Sequence, residues 1–242
     1  MQDTVPMDDR YAEKRRNIEQ FFTPENRVAD SVMSHDSASG NYRLEVCSYS
    51  TRPNAWGYTR GIATRVADGQ VVADVKRNYS HFWHTWVEHP NGNEYLLCGE
   101  DYQGYCVINL TKAKYHVYFP EAGHQGWGFC WTAAYPSPDR LTLAVDGCYW
   151  ACPYELVFYD FRNPDQLPLP ELGRIENLVD CEGWVDDDTF VVKRDVEFRK
   201  SDGKPYDELT EEEQTILDSD NSLTDYRSDT VRCKRPQPPN DA

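Results

Sequence analysis

The segment His84-Thr85-Trp86-Val87 begins a pattern that recurs roughly 47 residues later, a period expected of stacked sheet repeats. The first copy continues with the turn Pro90-Asn91-Gly92-Asn93 and the apolar run Tyr95-Leu96-Leu97-Cys98. The second copy consists of Cys130-Trp131-Thr132-Ala133, the turn Pro136-Ser137-Pro138-Asp139 and the run Leu141-Thr142-Leu143-Ala144-Val145. One such unit cannot cover both faces of its own sheet, so neighbouring units are expected to pack against each other.

Two weaker copies extend the repeat on both sides. One runs from Leu44-Glu45-Val46-Cys47 to a hairpin turn at Asp68-Gly69, and the other runs from Gly183-Trp184-Val185-Asp186 into Thr189-Phe190-Val191-Val192. The pattern predicts a mostly β fold whose antiparallel sheets come from about four blade-like repeats, as in a small or partial β-propeller, with short helices at the termini. An open curved sheet or a sandwich is the alternative.

The N-terminal part, residues 1–40, is predicted to be a polar arm that precedes the repeats of residues 41–198. Acidic residues at its start and Pro24 at its end favour a helix over residues 8–22. Residues 30–40 have the composition of a turn or linker.

The C-terminal part, residues 199–242, is predicted to be a polar segment. Thr210 and Glu213 have the spacing of a capping box, which predicts a short helix near residues 210–218. The proline-rich end, residues 235–240, cannot form a packed element and is predicted to be disordered.

The run from Tyr135 to Val145, followed by Glu155-Leu156-Val157-Phe158-Tyr159-Asp160, resembles blades of the WD40 and TolB-like β-propellers. In those families a Ser-Pro-Asp-Gly turn precedes the second strand of a blade, and this chain has Ser137-Pro138-Asp139 with Arg140 in the glycine position. The resemblance implies a scaffold for binding, since propellers carry many unrelated functions.

The chain is strongly acidic, with a net charge of -16 over 242 residues. This charge opposes nucleic-acid binding, because affinity for phosphates comes from Lys and Arg. It favours solubility or docking to a basic protein surface. No apolar stretch reaches the ~18 residues that span a bilayer, and the N-terminus lacks the pattern of a signal peptide. The sequence therefore predicts a cytoplasmic protein without a membrane or nucleic-acid partner.

Aromatic residues at loops and strand starts are the candidate binding groups. Most of the seven tryptophans are expected in the core, but Trp127, between two glycines, and Trp150, in an inserted loop, are candidates for an exposed binding surface. His84, close to Trp83 and Trp86, is the third candidate. His81 and His84 are predicted to point to opposite faces of a strand, which argues against a shared metal.

The inserted loop carries Cys148 and Cys152, whose spacing could supply half of a zinc site with Cys130 and Cys181. We expect Cys148 and Cys152 to be reduced and free of metal, because a pair of cytoplasmic thiols has no driving force to oxidise. Trp150 is expected to anchor this loop by packing over the end of the second strand of its repeat.

Catalytic motifs for nucleophilic, phosphate or dinucleotide chemistry are absent from the sequence. We therefore expect a non-enzymatic binding protein without a cofactor, docking another protein, and more specifically an inhibitor or immunity protein that neutralises a basic toxin. The alternative is a hydrolase acting on a sugar or small ester in a central pocket. Its acid and base would be Glu100 and Asp146, which the repeat makes equivalent at the ends of second strands.

Overall fold

The computed structural model describes residues 9–150 and 152–238, which form three antiparallel sheets and two α-helices. The first sheet contains β1 (Met33–Asp36), β2 (Tyr42–Ser50), β3 (Gly57–Arg65) and β4 (Val71–Arg77). The second contains β5 (Thr85–Glu88), β6 (Glu94–Cys98), β7 (Tyr105–Asn109) and β8 (Lys114–Tyr118). The third contains β9 (Phe129–Pro136), β10 (Thr142–Tyr149), β11 (Tyr154–Asp160), β12 (Glu171–Asp186), β13 (Thr189–Arg199) and β14 (Thr224–Lys234). In every sheet the strands lie side by side in chain order.

The mostly β fold of consecutive blade-like units is confirmed. The first two units are separate four-stranded sheets, whereas the third and fourth share one sheet through the 16-residue strand β12. Its first part pairs with β11 and its second part with β13, with irregular register along both pairings. The predicted turn at residues 186–188 joins β12 to β13.

Three hydrophobic clusters hold consecutive units together. One joins the first and second units around Leu44 and Ile108, and one joins the second and third around Tyr105 and Trp131. The last lies on the other face of the third unit, around Phe158, and covers the inner part of β12 to β14. Within residues 9–150 and 152–238 no such cluster joins the first unit to the fourth. The units therefore form an open succession rather than a closed ring.

The two helices lie where the sequence predicts them. α1 spans Asp9–Glu19, shorter than the predicted residues 8–22, and Asp8 lies outside the described residues. Beyond the end of the helix, the ring of Phe21 stacks on Tyr58 of the first sheet. α2 spans Glu211–Asp218 and has the predicted capping box, with Leu217 as its buried residue.

Both arms contribute strands, which the composition did not predict. The predicted linker contains β1, in which Met33 pairs with Val46, and the polar C-terminal segment contains β14, which pairs with β13 over its whole length. Most residues of β14 are exposed, so the sequence lacks the alternation that identifies a half-buried strand.

The start of the predicted disordered end is anchored to the third unit. Arg235 donates a 2.8 Å hydrogen bond to Thr142 Oγ1 and forms a 2.6 Å ion pair with Asp139. Residues 236–238 have no regular secondary structure, and residues 239–240 lie outside the described residues.

Arg140 takes the backbone conformation that the turn requires of its usual glycine. Its φ is 63°, in the left-handed region. Its guanidinium donates to the carbonyl oxygens of Ser137 and Pro138, at 2.8 and 3.1 Å, which helps to hold this conformation.

Candidate functional site

Loops from the first three units meet in a group of four aromatic rings, which we call the aromatic cluster: Trp56, Tyr79, Tyr102 and Trp150. Trp56 and Tyr102 lie in the connections between the second and third strands of the first two units, and Trp150 lies in the same connection of the third. Tyr102 is central, with its ring centroid 6.1 Å from both Trp56 and Tyr79 and 5.5 Å from Trp150. Equivalent connections meet because they leave the same end of successive units.

The cluster remains open to solvent at its two tryptophans. Trp56 is 45% exposed and Trp150 is 52% exposed, while Tyr79 and Tyr102 between them are half-buried. Tyr154, 44% exposed, follows on β11 opposite Cys148 and extends the aromatic surface. A large side chain that is fixed by ring contacts yet half exposed is the usual form of an interface anchor.

Polar contacts beneath the cluster fix Trp56 to the second unit. The indole Nε1 of Trp56 donates a 3.2 Å hydrogen bond to Asn78 Oδ1. Asn78 donates in turn to Asp101 Oδ2, at 3.1 Å, and through its backbone to the carbonyl oxygen of Glu100, at 2.6 Å. The first and second units are therefore linked directly under the exposed rings.

Arg77, at the end of β4, supports both loops from inside the protein. Its guanidinium is buried and donates to three backbone carbonyl oxygens, those of His81 at 2.7 Å, Gly99 at 2.8 Å and Asp101 at 2.6 Å. Burial lowers the pKa of Arg77, and nearby acidic groups including Asp101 oppose this effect. Arg77 was not singled out from the sequence, in which nothing distinguishes it from the exposed arginines of the neighbouring strands.

The predicted tryptophans differ in their surroundings. Trp150 is half exposed and contacts Tyr102 of the preceding unit, and its expected packing over the end of β10 stays a prediction. Trp127 is 63% exposed. It lies at the same end of the units as the aromatic cluster, since the backbone of the next residue, Gly128, donates a hydrogen bond to the side chain of Gln103. Among the described residues, no ring contact connects Trp127 to the aromatic cluster.

His84 belongs to a different part of the fold. β5 begins at Thr85, so His81 and His84 precede the strand rather than facing opposite sides of it. The ring of His84 lies 4.4 Å from that of His35 on β1 and 6.2 Å from that of Trp86. Burial, followed by the neighbouring histidines, lowers the pKa of His84 to about 4, so the ring is neutral at pH 7. The part of the chain that the structure describes contains no group of three or more His, Cys, Asp or Glu side chains arranged to hold a metal.

Glu100 is enclosed between the second unit and α1. Only 3% of the residue is exposed, and its carboxylate accepts hydrogen bonds from Tyr11 at 3.0 Å and Tyr115 at 2.8 Å. Arg15 of α1 forms a 2.8 Å ion pair with the same carboxylate. Burial raises the pKa of Glu100, and the contacts with Arg15 and the two hydroxyl groups oppose that rise. These contacts are those of a residue that attaches α1 to the sheet.

Asp146 is not equivalent to Glu100 in the structure. Glu100 lies beyond the end of β6, whereas Asp146 lies inside β10, which continues across a bulge to Tyr149. The Oδ1 atom of Asp146 is buried without a hydrogen-bond partner. Burial raises the pKa of Asp146 to about 6, and the charge of Asp180 adds to this effect. The two carboxylates therefore have different neighbours and different environments.

Replacement of Asp146 by Asn is expected to stabilise the protein at pH 7 by about 1 to 2 kcal/mol, a figure reduced for the partial exposure of the side chain. A carboxyl group whose pKa rises on folding from 3.8 to about 6 stabilises the fold below pH 4 and loses that contribution as the pH rises through 6. Urea denaturation of both proteins at pH 4 and pH 7 tests this. A stabilisation by Asp146→Asn that is equal at both values would contradict the assigned charge effect.

The chain is a protein of consecutive antiparallel β units, and no family model matches it. It belongs to the same family as the uncharacterized protein R762 of Acanthamoeba polyphaga mimivirus, to which it is 32% identical over 211 residues, covering 84% of this chain and 82% of the viral protein.

Solved structures resemble the chain only distantly. The β-propeller domain of Cps50 (Swd1) from Myceliophteria thermophila has a TM-score of 0.41 at 13% identity, over 78% of this chain and 53% of that one. Hydrazine synthase of Kuenenia stuttgartiensis has a TM-score of 0.39 at 13% identity, over 85% of this chain and 63% of that one. The chain thus spans less than two thirds of the length of these solved chains. Among the described residues no helix is long and apolar enough to cross a membrane.

Proposed function

We propose that this chain is a non-enzymatic protein-binding module whose contact surface is the aromatic cluster. The observation that carries the proposal is the half exposure of Trp56 and Trp150, which are held in place by Tyr102 and by the hydrogen bond to Asn78. Trp and Tyr are enriched among the residues that dominate binding energy, because they bury a large area with little loss of conformational freedom. Trp127 extends this surface at the same end of the units.

The partner that fits this surface is a basic protein. The chain carries a net charge of -16, and complementary potentials speed association and exclude partners of like charge. A cytoplasmic inhibitor or immunity protein that neutralises a basic toxin is the specific form of this proposal. Nucleic acid does not fit, because its phosphates would meet an excess of carboxylates.

The alternative, a hydrolase using Glu100 and Asp146, receives no support from their surroundings. Glu100 is enclosed by Tyr11, Tyr115 and Arg15. A cleft of about 520 Å³ does lie between the turns of the first three units, but neither carboxylate is among its lining residues. That cleft is lined by Ser37, Trp86, His89, Glu94, Asp139 and Arg140, with others.

The combined variant Trp56→Ala and Trp150→Ala is expected to lose at least about 30-fold in affinity for the partner, since truncating a central aromatic anchor costs 2 kcal/mol or more. The partner is first recovered with the immobilised wild-type chain, from cells that express it, at low salt. The dissociation constants of the purified pair are then measured by calorimetry for the wild type and the variant.

Tyr226→Ala is the matched control, because Tyr226 is an even more exposed aromatic residue, at 61%, but lies on β14 of the fourth unit. It is expected to bind like the wild type, with affinity falling as salt is raised. Failure of the wild type to retain a stoichiometric partner at low salt would contradict the proposal. Equal binding by the wild type and the double variant would place the contact surface elsewhere.

A further inference from the structure

Two cysteines of the third unit face each other across neighbouring strands. Cys130 on β9 is the direct register partner of Cys148 on β10. Directly opposed residues of antiparallel strands have Cα atoms about 4.5 to 5.5 Å apart, which falls within the roughly 4.4 to 6.8 Å found in disulfides. The strands approach closely here, since a Cβ atom at Gly147 would collide with the carbonyl oxygen of Cys130. The register therefore places the two residues where their Cα atoms suit a disulfide.

A third thiol gives this pair access to solvent. Cys130 is buried, Cys148 is half-buried, and Cys152 in the following turn is exposed. The turn is closed by a 2.9 Å hydrogen bond from the backbone of Cys152 to the carbonyl oxygen of Tyr149. Cys148 is the register partner of Cys130 and also interacts electrostatically with Cys152. The three thiols form a path from solvent to the strand pair.

The second unit contains the same arrangement without the access. Cys98 on β6 is opposite Cys106 on β7, and the two residues are 0% and 1% exposed. Tyr115 donates to Cys106 Sγ at 3.5 Å. This pair has the same register relation as Cys130 and Cys148, but the turn between its strands contains no exposed thiol. It is therefore an internal control for the effect of an exposed thiol on oxidation.

We propose that Cys130, Cys148 and Cys152 form a thiol oxidation site, in which a low-molecular-weight disulfide oxidises the chain and the stable product is a Cys130–Cys148 disulfide. Cys152 is the entry thiol. This proposal is independent of the protein-binding function, because it requires only the three thiols and the oxidant.

The reaction balances as three exchanges with oxidised glutathione. The Cys152 thiolate attacks a glutathione sulfur and releases one reduced glutathione, leaving a mixed disulfide. The Cys148 thiolate attacks the Cys152 sulfur and releases the second glutathione. The Cys130 thiolate then attacks the Cys148 sulfur, and Cys152 leaves as a thiolate that takes up a proton. In total the protein loses two hydrogens and two electrons, and one oxidised glutathione becomes two reduced molecules.

Burial explains why the entry thiol is needed. It raises the pKa of Cys130 to about 12, so this thiol is almost entirely protonated at neutral pH and reacts poorly with an oxidant in solution. Inside the protein the same thiol is held next to Cys148. This positioning has the same effect as a high local concentration of the attacking group. A reaction that is slow between molecules thus becomes feasible within the chain.

The location of the pair connects it to the aromatic cluster. Cys148 is two residues before Trp150, on the strand that carries the inserted turn. A covalent bond between β9 and β10 at this point would fix the base of that turn. Oxidation would therefore restrict the segment that carries Trp150, which contacts Tyr102 of the aromatic cluster.

The test is oxidation of the folded wild-type chain with oxidised glutathione at pH 8, followed by alkylation of the remaining thiols and peptide mapping by mass spectrometry. The expected product has lost two hydrogens, links Cys130 to Cys148, and keeps Cys98, Cys106 and Cys152 alkylated. Cys152→Ser is expected to reach the same product about tenfold more slowly, because the entry thiol is missing. Cys148→Ser is expected to give no disulfide within the chain.

Several results would overturn the proposal. A mixed disulfide that persists on Cys152, or a stable Cys148–Cys152 bond, would show that Cys130 does not complete the exchange. Oxidation of Cys98 with Cys106 at the same rate would show that exposure does not select the pair. An unchanged rate for Cys152→Ser would remove its role as the entry thiol. Because these readouts are bond identities and rates in the purified chain, they do not depend on whether a binding partner exists.

Discussion

Arg77→Met is expected to lower the free energy of unfolding by about 3 to 5 kcal/mol, one of the two largest effects foreseen for a single substitution in this chain. The guanidinium of Arg77 is the donor for three backbone carbonyl oxygens, those of His81, Gly99 and Asp101. Met has a similar stem but no donor, so it would leave these oxygens buried without a partner. Chemical denaturation at pH 7 with tryptophan fluorescence as the probe measures the loss.

The matched control for this prediction is Arg60→Met on the adjacent strand β3. Arg60 forms its ion pair with Asp74 nearer the surface, where the side chains are 29% and 38% exposed. Such a pair contributes less than about 1 kcal/mol, because water and salt screen it. If both substitutions cost the same, the support of the loops by Arg77 would be refuted. Arg77 would also be expected to matter for binding, since the loops that it holds carry Tyr79 and Tyr102.

Glu100→Ala is expected to destabilise the protein by about 3 kcal/mol and to release α1 from the sheet. The substitution removes the acceptor for the hydroxyl groups of Tyr11 and Tyr115 and the partner of Arg15. Each buried hydroxyl group that loses its partner costs about 1 to 3 kcal/mol. Burial of the Glu100 carboxylate, which raises its pKa, is itself unfavourable. Removing the carboxylate ends that cost, but this gain offsets only part of the loss.

Trypsin cleavage at the basic residues of α1 measures its release directly, because cleavage requires the helix to leave the surface and unfold. Glu121→Ala is the control, since Glu121 pairs with Arg10 of the same helix but is 71% exposed at its side chain. It is expected to leave the cleavage rate nearly unchanged. A Glu100→Ala protein whose helix is cleaved no faster than that of the wild type would show that other contacts hold α1, such as the stacking of Tyr11 on Phe119.

The two outcomes for Glu100 also separate a structural from a catalytic role. A residue that attaches α1 changes stability and proteolysis when it is replaced. A general acid or base would instead change a reaction rate while the fold remains intact. The contacts of Glu100 with Tyr11, Arg15 and Tyr115 favour the structural outcome.

Much of the fold could be predicted from the sequence because its signals are local. Alternating apolar residues between turn residues specify short strands, and the recurrence of the pattern near 47 residues indicates units that must pack on each other. The helix α2 was predicted for the same reason, since Thr210 and Glu213 interact within one turn. The strands β1 and β14 were missed because they are short or exposed and carry no apolar alternation.

The candidate site was predicted only in part, because its members are far apart in the chain. Trp150 could be singled out as an aromatic residue in an inserted loop, but its contact with Tyr102 crosses from one unit to the next. The opposition of Cys130 and Cys148 depends on the register of β9 against β10, including a bulge at Asp146 and Gly147. A shift of one residue in that register would separate the thiols, and sequence spacing does not fix it.

The sequence by itself determined the acidic charge, the repeated β units, the helix caps and the tryptophans available for a surface, since these depend on residue type and local spacing. The tertiary structure alone decided that Glu100 and Asp146 lie in different environments, that Arg77 is buried beneath two loops, and that rings from three units meet. The physical reason is that burial and pairing depend on distances between residues remote in the chain, and these are set only when whole sheets pack together.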